Sequence, residues 1–276
     1  MADSLGARMQ PISVVLDTFI PRAAVGEPLA HGFDRVRRSL VEPLLAADGD
    51  LRAWFELSPG YVLGRPTLPA DEGSWEQIVE LVGRGDAAYC SVEIRGGTRS
   101  AGYFHFGVRL GHELVSDVPH TVTMHAHPTL FAAITGFRLA EEIGSLAREL
   151  ARRCKVNTGY IACHLALSKD AEEQRGGDVT NGAQPDLRAH LRGCYWGNFL
   201  SVGHLEALGG REHVLAACPA DVVENLSDGE HELVFVGLSG NPCDEHGQAI
   251  IELEHFLHPA LPQRDDEPVP ATLEAL

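Results

Sequence analysis

Histidines that stand close together in the sequence are the first residues to consider for chemistry. His125 and His127 are separated by one residue and follow His120 in the same segment. On a β-strand, residues two apart share one face, so both imidazoles would chelate one transition metal ion. A complete site needs further ligands, which would come from His105, His112 or the acids near Asp117. A chain with fourteen histidines also contains such a pair by chance.

Other combinations of reactive residues do not match the pattern of a catalytic site. Cys163 and His164 are adjacent, and neighbours on a strand point to opposite faces, so they cannot act as nucleophile and base. The sequence has no G-x-S-x-G elbow and no phosphate-binding P-loop. It therefore predicts a protein that is not an enzyme and has no cofactor. A metal-dependent hydrolase that uses His125 and His127 is the alternative.

Acidic residues are concentrated towards the C-terminal end of the chain. The protein has 39 acidic and 22 basic residues, which gives a formal net charge of −17. Between Asp221 and Leu276, thirteen acidic residues accompany one basic residue, Arg264, so this stretch carries −12 of that charge. Such a field repels the phosphates of nucleic acids and speeds encounter with a basic protein surface.

A protein with a basic surface is therefore the predicted partner, and nucleic acid is not. The acids that we predict to contact it are Asp221, Glu224, Asp228, Glu230, Glu232, Asp244, Glu245 and Glu252. The alternative is that the charge only keeps the protein soluble, as in an acidic scaffold protein.

Three features of the sequence predict a cytoplasmic location. The six cysteines form no C-x-x-C pair and are too few for a disulfide scaffold. The first residues, Met1 to Ser4, show neither the basic nor the apolar region of a signal peptide. The chain has no apolar run of the length that spans a membrane, so we expect no membrane partner.

The elements that would position these residues are strands and helices in mixed order. Apolar periodicity predicts strands over residues 12–20, 52–57, 87–94, 103–110, 118–125 and 158–167. It predicts helices over residues 29–45, 75–82 and 138–154. Residues 21–28 are predicted as a loop, and Ser74 with Gln77 as the capping box of the second helix.

The C-terminal part repeats a similar order of elements. A strand over 194–200 precedes two short helices, a hairpin around Asp228-Gly229 and an amphipathic helix over 244–258. This order predicts an α+β fold with a mixed, largely antiparallel sheet and packed helices. It indicates two similar α+β halves, residues 1–168 and 185–261, packed as one globular unit before an acidic tail over residues 262–276.

A short set of motifs in the C-terminal part resembles a known family. Gly193 and Trp196 lie in an apolar, aromatic segment, and the following helix ends in Leu208-Gly209-Gly210. Together with a helix that leads into Thr158-Gly159-Tyr160-Ile161, this order resembles the TsiV-like immunity family of type VI secretion systems. The resemblance covers about residues 130–240, and its motifs are structural in character.

The resemblance implies an immunity protein that binds a cognate toxin in the producing cell and occludes its active site. No catalysis is required for that role. The acidic residues would then face a basic cleft, because a toxin that acts on nucleic acid needs one. The chain departs from the family after the second hairpin, where members carry a Pro-rich polar segment and this chain has residues 239–243.

Overall fold

An antiparallel sheet of ten strands runs through the described residues of the computed structural model, which are 12–58, 67–96, 104–111, 118–126, 139–163, 186–239 and 247–262. The strands are β1 (Ile12–Thr18), β2 (Leu51–Ser58), β3 (Thr67–Pro69), β4 (Tyr89–Gly96), β5 (Phe104–Arg109), β6 (His120–Ala126), β7 (Thr158–Cys163), β8 (Gly197–Ser201), β9 (Val222–Asn225) and β10 (Leu233–Gly237). Their spatial order is β3-β2-β4-β5-β6-β1-β7-β8-β10-β9, and every neighbouring pair is antiparallel. The predicted α+β class with a largely antiparallel sheet is confirmed.

The helices lie between the strands in chain order. They are α1 (Arg22–Val36), α2 (Glu42–Ala47), α3 (Glu72–Gly83), α4 (Leu139–Arg153), α5 (Val202–Ala207), α6 (Arg211–Ala217) and α7 (Gly247–Leu257). A π-helical turn, Arg37–Val41, joins α1 to α2, and a 3₁₀ turn, His258–Ala260, follows α7.

Aromatic pairs mark the core on one face of the sheet. Phe33 of α1 packs edge-on against Phe106 of β5, with ring centroids 4.9 Å apart, and both side chains are fully buried. Phe199 and Phe235 of the paired strands β8 and β10 are 5.0 Å apart. Every residue of β8 and β10 is buried, so both faces of the sheet are covered at these two strands. The sheet is continuous across the boundary that the sequence suggests between residues 168 and 185, because β7 pairs with β8.

Two local predictions about helix starts are wrong. The segment predicted as a loop before residue 29 is helical from Arg22, although Pro28 lies inside the helix. Gly26 in the added turns lies against α3, where a Cβ atom would be 2.3 Å from the carbonyl oxygen of Gly83. At α3 the cap is Asp71 and not Ser74, since the Asp71 carboxylate accepts the backbone N–H of Ser74 at 2.9 Å.

A buried carboxylate on β1 connects three parts of the fold. Asp17 is fully buried, and its strand lies between β6 and β7. Its Oδ1 accepts the hydroxyl of Thr121, the residue directly opposite on β6, at 2.8 Å. Its Oδ2 accepts the guanidinium of Arg192 at 2.8 Å from Nη2 and 3.2 Å from Nε. Arg192 precedes β8. The ion pair therefore fixes the segment before β8 to β1, in the middle of the sheet.

Removing the positive partner of Asp17 is expected to be costly. The substitution Arg192→Met should lower the free energy of unfolding by about 3 kcal/mol, because it leaves the carboxylate buried without its positive partner. The double substitution Asp17→Asn with Arg192→Met should recover part of this loss, since no charge then stays buried. Urea unfolding of the two single variants and the double variant measures the coupling. If the losses of unfolding free energy in the two single variants simply added in the double variant, the result would contradict the Asp17–Arg192 ion pair.

Candidate functional site

Five of the acids predicted to contact a partner lie on one hairpin at the edge of the sheet. This acidic hairpin, residues 221–238, contains β9, the turn at Asp228-Gly229 and β10. Among the strands of the described residues, β9 is the last one of the sheet, and its residues Val222, Glu224 and Asn225 are exposed. The turn glycine, Gly229, has a positive φ of 85°, which favours glycine. The hairpin therefore places its acids at the edge of the sheet that the described residues form.

Bases from neighbouring elements already contact several of these acids. Three ion pairs join the acidic hairpin to neighbouring elements. Arg148 of α4 contacts Glu224 at 3.1 Å, Lys155 just after α4 contacts Glu230 at 3.4 Å, and Arg211 of α6 contacts Glu232 at 3.2 Å. Asp221 and Asp228 instead accept the backbone N–H groups of Ser239 and His231. Exposed pairs of this kind contribute at most about 1 kcal/mol each, so a partner can replace them at small cost. They also make the local field weaker than a count of acids in the sequence suggests.

The other predicted contact acids do not extend this surface within the described residues. Glu252 lies on α7, where it is exposed and accepts a hydrogen bond from Gln248 at 3.2 Å. Asp244, Glu245 and residues 263–276 of the predicted acidic tail lie outside the described residues.

His125, one of the two histidines predicted to bind a metal, lies in a polar row that crosses four strands. His127 lies outside the described residues. His125 lies directly opposite His105 of β5, with ring centroids 5.8 Å apart, and its Nδ1 is 3.0 Å from the hydroxyl of Ser13 on β1. On the other side, Nδ1 of His105 is 3.3 Å from a carboxylate oxygen of Glu93 on β4. The register of three strand pairs brings these residues together, and the spacing along the sequence gives no sign of it.

Metal ligands in this row were sought among the described residues. No group of three or more histidine, cysteine or acidic side chains there is placed to hold a metal ion. The serine hydroxyl beside His125 belongs to a residue that is only 2% exposed, so it does not face an open substrate site. The metal-site prediction on His125 and His127 stays a prediction.

The residues of the family-like motifs take structural positions. Trp196 is 9% exposed, belongs to the core, and its indole N–H has no hydrogen-bond partner among the described residues. Gly209 and Gly210 end α5 with positive φ angles of 88° and 98°, and Gly210 N–H bonds back to the carbonyl of Leu205 at 2.7 Å. Leu208 is buried. It lines a shallow open cleft together with Ala207, Gly209, His213, Phe256 and Pro259. Gly193, before β8, is also buried.

One buried histidine at the start of α5 was not singled out by the sequence. His204 is completely buried, and its Nδ1 accepts the backbone N–H of Ser201 at 3.1 Å. Burial lowers the pKa of His204 from 6.5 to about 4, because the interior disfavours the charged imidazolium. The side chain is therefore neutral at pH 7 and serves as a helix cap.

The depressed pKa of His204 predicts a loss of stability in acid. The unfolded chain binds a proton at this imidazole near pH 6.5, whereas the folded chain does so only near pH 4. The free energy of unfolding should therefore fall as the pH drops through this window, by about 3 kcal/mol in total. In His204→Gln, which keeps an acceptor at the capping position, the decline should be smaller when urea midpoints are measured from pH 7 to pH 4. The control His213→Gln, at an exposed position, should show the same decline as the wild type. An equal decline of the urea midpoint in all three proteins would show that His204 is not its source.

The cysteines differ in their chemical state. Cys90, Cys154 and Cys194 are free and buried, and burial raises the pKa of each thiol, which makes them poor nucleophiles. Cys163, at the end of β7, is disulfide-bonded, and its partner lies outside the described residues. The cytoplasmic location stays a prediction.

Peptide mapping of the unreduced protein should find Cys163 in a disulfide-linked peptide. Reduction should then lower the stability by about 2–4 kcal/mol, because the unfolded chain regains conformational freedom. Alkylation of the denatured, unreduced protein provides the check, since Cys90, Cys154 and Cys194 should react and Cys163 should not. A freely alkylated Cys163 would contradict the bond.

No helix among the described residues is long and apolar enough to cross a membrane.

Comparison with known structures identifies a similar fold. The chain is similar to the solved structure of the Pseudomonas aeruginosa T6SS protein PA0821, with a TM-score of 0.55 and 16% sequence identity. The similarity covers 94% of this chain and 77% of that chain. At this identity the likeness shows the fold alone. No protein-family model and no curated protein matches the sequence, so membership in the TsiV-like family is not shown.

Proposed function

We propose that this chain is a type VI secretion immunity protein, which binds a cognate toxin in the producing cell and occludes its active site without catalysis. The observation that carries the proposal is the shared fold with a T6SS protein over 94% of the chain. The motif resemblance to an immunity family points in the same direction. Fold similarity by itself leaves the role open, so the surface of the molecule has to supply the mechanism.

The acidic hairpin supports binding to a basic protein surface. The acids that form its ion pairs are accessible, and their bases lie on α4, just after α4 and on α6. A toxin that acts on nucleic acid needs a basic cleft. The acids of the acidic hairpin lie at the edge of the sheet, where they would contact the basic side chains of such a cleft. Electrostatic attraction would speed the encounter, and exchange of the exposed ion pairs would fix the orientation.

Binding to the purified protein encoded by the neighbouring gene tests the proposal. We expect a stable one-to-one complex whose association rate falls roughly tenfold as the salt concentration is raised from 50 to 500 mM, because salt screens exposed charges. Surface plasmon resonance over a salt series measures the rate. A failure to bind would remove the proposal, and binding that is indifferent to salt would remove its electrostatic mechanism.

Charge variants locate the effect on the molecule. The double substitution Asp228→Asn with Glu230→Gln neutralises the turn of the acidic hairpin and should slow association about threefold or more at low salt. The control is Glu76→Lys, which changes the net charge by the same amount at an exposed position of α3. An equal effect of both variants would show that net charge, and not the acidic hairpin, governs the encounter.

Metal-dependent hydrolysis and a scaffold role stay alternatives. Metal analysis of the purified protein, together with the stability and metal content of His125→Ala, distinguishes the first of them from the immunity role. A scaffold protein would bind no toxin and would leave cells unprotected when it is expressed with the neighbouring gene.

A further inference from the structure

The hydrogen-bond pattern of β10 determines which backbone groups of β9 face outward. The N–H of Leu226 donates to the carbonyl of Leu233 at 2.8 Å, and the register pairs Glu224 with Phe235. In an antiparallel pair, directly opposed residues alternate between bonded and non-bonded positions. Glu224 therefore bonds inward to β10, whereas Val223 and Asn225 direct their N–H and C=O groups away from the sheet.

The hydrogen bonds on the other side of β10 give the same alternation of inward- and outward-bonding residues. The N–H of Leu238 donates to the carbonyl of Trp196 at 2.9 Å, and the register pairs Gly237 with Gly197 on β8. The even-numbered residues of β10 therefore bond to β8, and the odd-numbered ones, such as Phe235, bond to β9. Two hydrogen bonds on opposite sides of the strand thus give the same assignment. The outer edge of β9 presents two backbone donors and two backbone acceptors.

Side chains around this edge determine what can pair with it. Val223 packs against the core, and the flanking side chains of Val222 and Glu224 stay 37% and 48% exposed. A strand added at the edge would bond to Val223 and Asn225, and one of its residues would lie directly opposite Glu224 at close range. A lysine or arginine at that position would meet the Glu224 carboxylate, which already binds Arg148 on the side of α4.

A second copy of this chain is a poor occupant of the edge. Antiparallel pairing of two β9 strands through Val223 and Asn225 would place Glu224 opposite Glu224 of the other copy. Like charges directly opposite each other on paired strands are destabilising. Charges on an edge strand are also a known protection against edge-to-edge association. The same carboxylate that opposes self-pairing favours a strand with a basic side chain.

We propose that β9 is a strand-docking edge, which binds an extended segment of the partner through the backbone of Val223 and Asn225 and a basic side chain opposite Glu224. This inference rests on the proposed function for the existence of a protein partner and adds the mode of binding. The partner would extend the sheet by an eleventh strand.

Hydrogen–deuterium exchange with the purified product of the neighbouring gene tests the edge directly. In the free protein, the amides of Val223 and Asn225 should exchange quickly, because they point to solvent, and the amide of Glu224 should be protected. In the complex, Val223 and Asn225 should become protected by about tenfold or more. A complex that forms without protecting them would overturn the docking edge and leave the immunity proposal standing. Failure to form any complex would overturn both.

A matched pair of substitutions tests the same amide by affinity. Val223→Pro removes an outward N–H and should weaken binding about tenfold or more, since proline is tolerated at an edge but cannot donate to an added strand. Val223→Thr keeps both the N–H and the side-chain size and should bind within about threefold of wild type. Thermal unfolding checks that both variants fold. Equal affinities of the two folded variants would contradict the inference.

The charge component has its own test. Glu224→Lys should weaken the complex by about tenfold or more, whereas Glu76→Lys on α3, which makes the same change of charge at an exposed position, should have little effect. Light scattering of the free protein provides the last check: a monomer is expected, and a dimer that Val223→Pro disrupts would show that a second copy occupies the edge and would overturn the assignment of the partner.

Discussion

The carboxylate of Asp17 is the constraint that holds the parts of this fold in one arrangement. It is fully buried on β1, the strand that both β6 and β7 pair with, and a buried charge is tolerated only when it is paired. Thr121 on β6 and Arg192 before β8 satisfy it. Because Arg192 must reach this carboxylate, the segment that leads into β8 is fixed on the sheet. β8 pairs with β7 directly after this segment, and β10 and β9 continue the sheet from β8.

Charge has two uses at the far end of the same sheet. The acids of the acidic hairpin are held by Arg148, Lys155 and Arg211, so they stabilise the packing of α4 and α6 against the edge strands. These pairs are exposed, and water weakens them, which leaves the carboxylates accessible to a competing basic group. A structural role in the free protein and a binding role in a complex are therefore compatible. Glu224 combines both roles with protection of the edge from self-association.

The comparison with the P. aeruginosa protein separates fold from function. A common architecture at 16% identity means that the two chains share the order of strands and helices while most side chains differ. A core tolerates such exchange when volume and polarity are kept, whereas a binding surface changes with its partner. For this reason the case for a toxin partner depends on the edge strand and its charges.

The sequence alone determined the element types, the antiparallel class and the accumulation of acids towards the C-terminal end, because these follow from local periodicity and composition. The helix start at Arg22 was missed, because Pro28 favoured a loop in the sequence and lies inside the helix in the structure. Only the tertiary structure decided that His105 lies beside His125, that three acids of the hairpin are already paired, and that Val223 and Asn225 face outward. Each of these depends on strand order and register, which join residues far apart in the chain and leave no trace in local spacing.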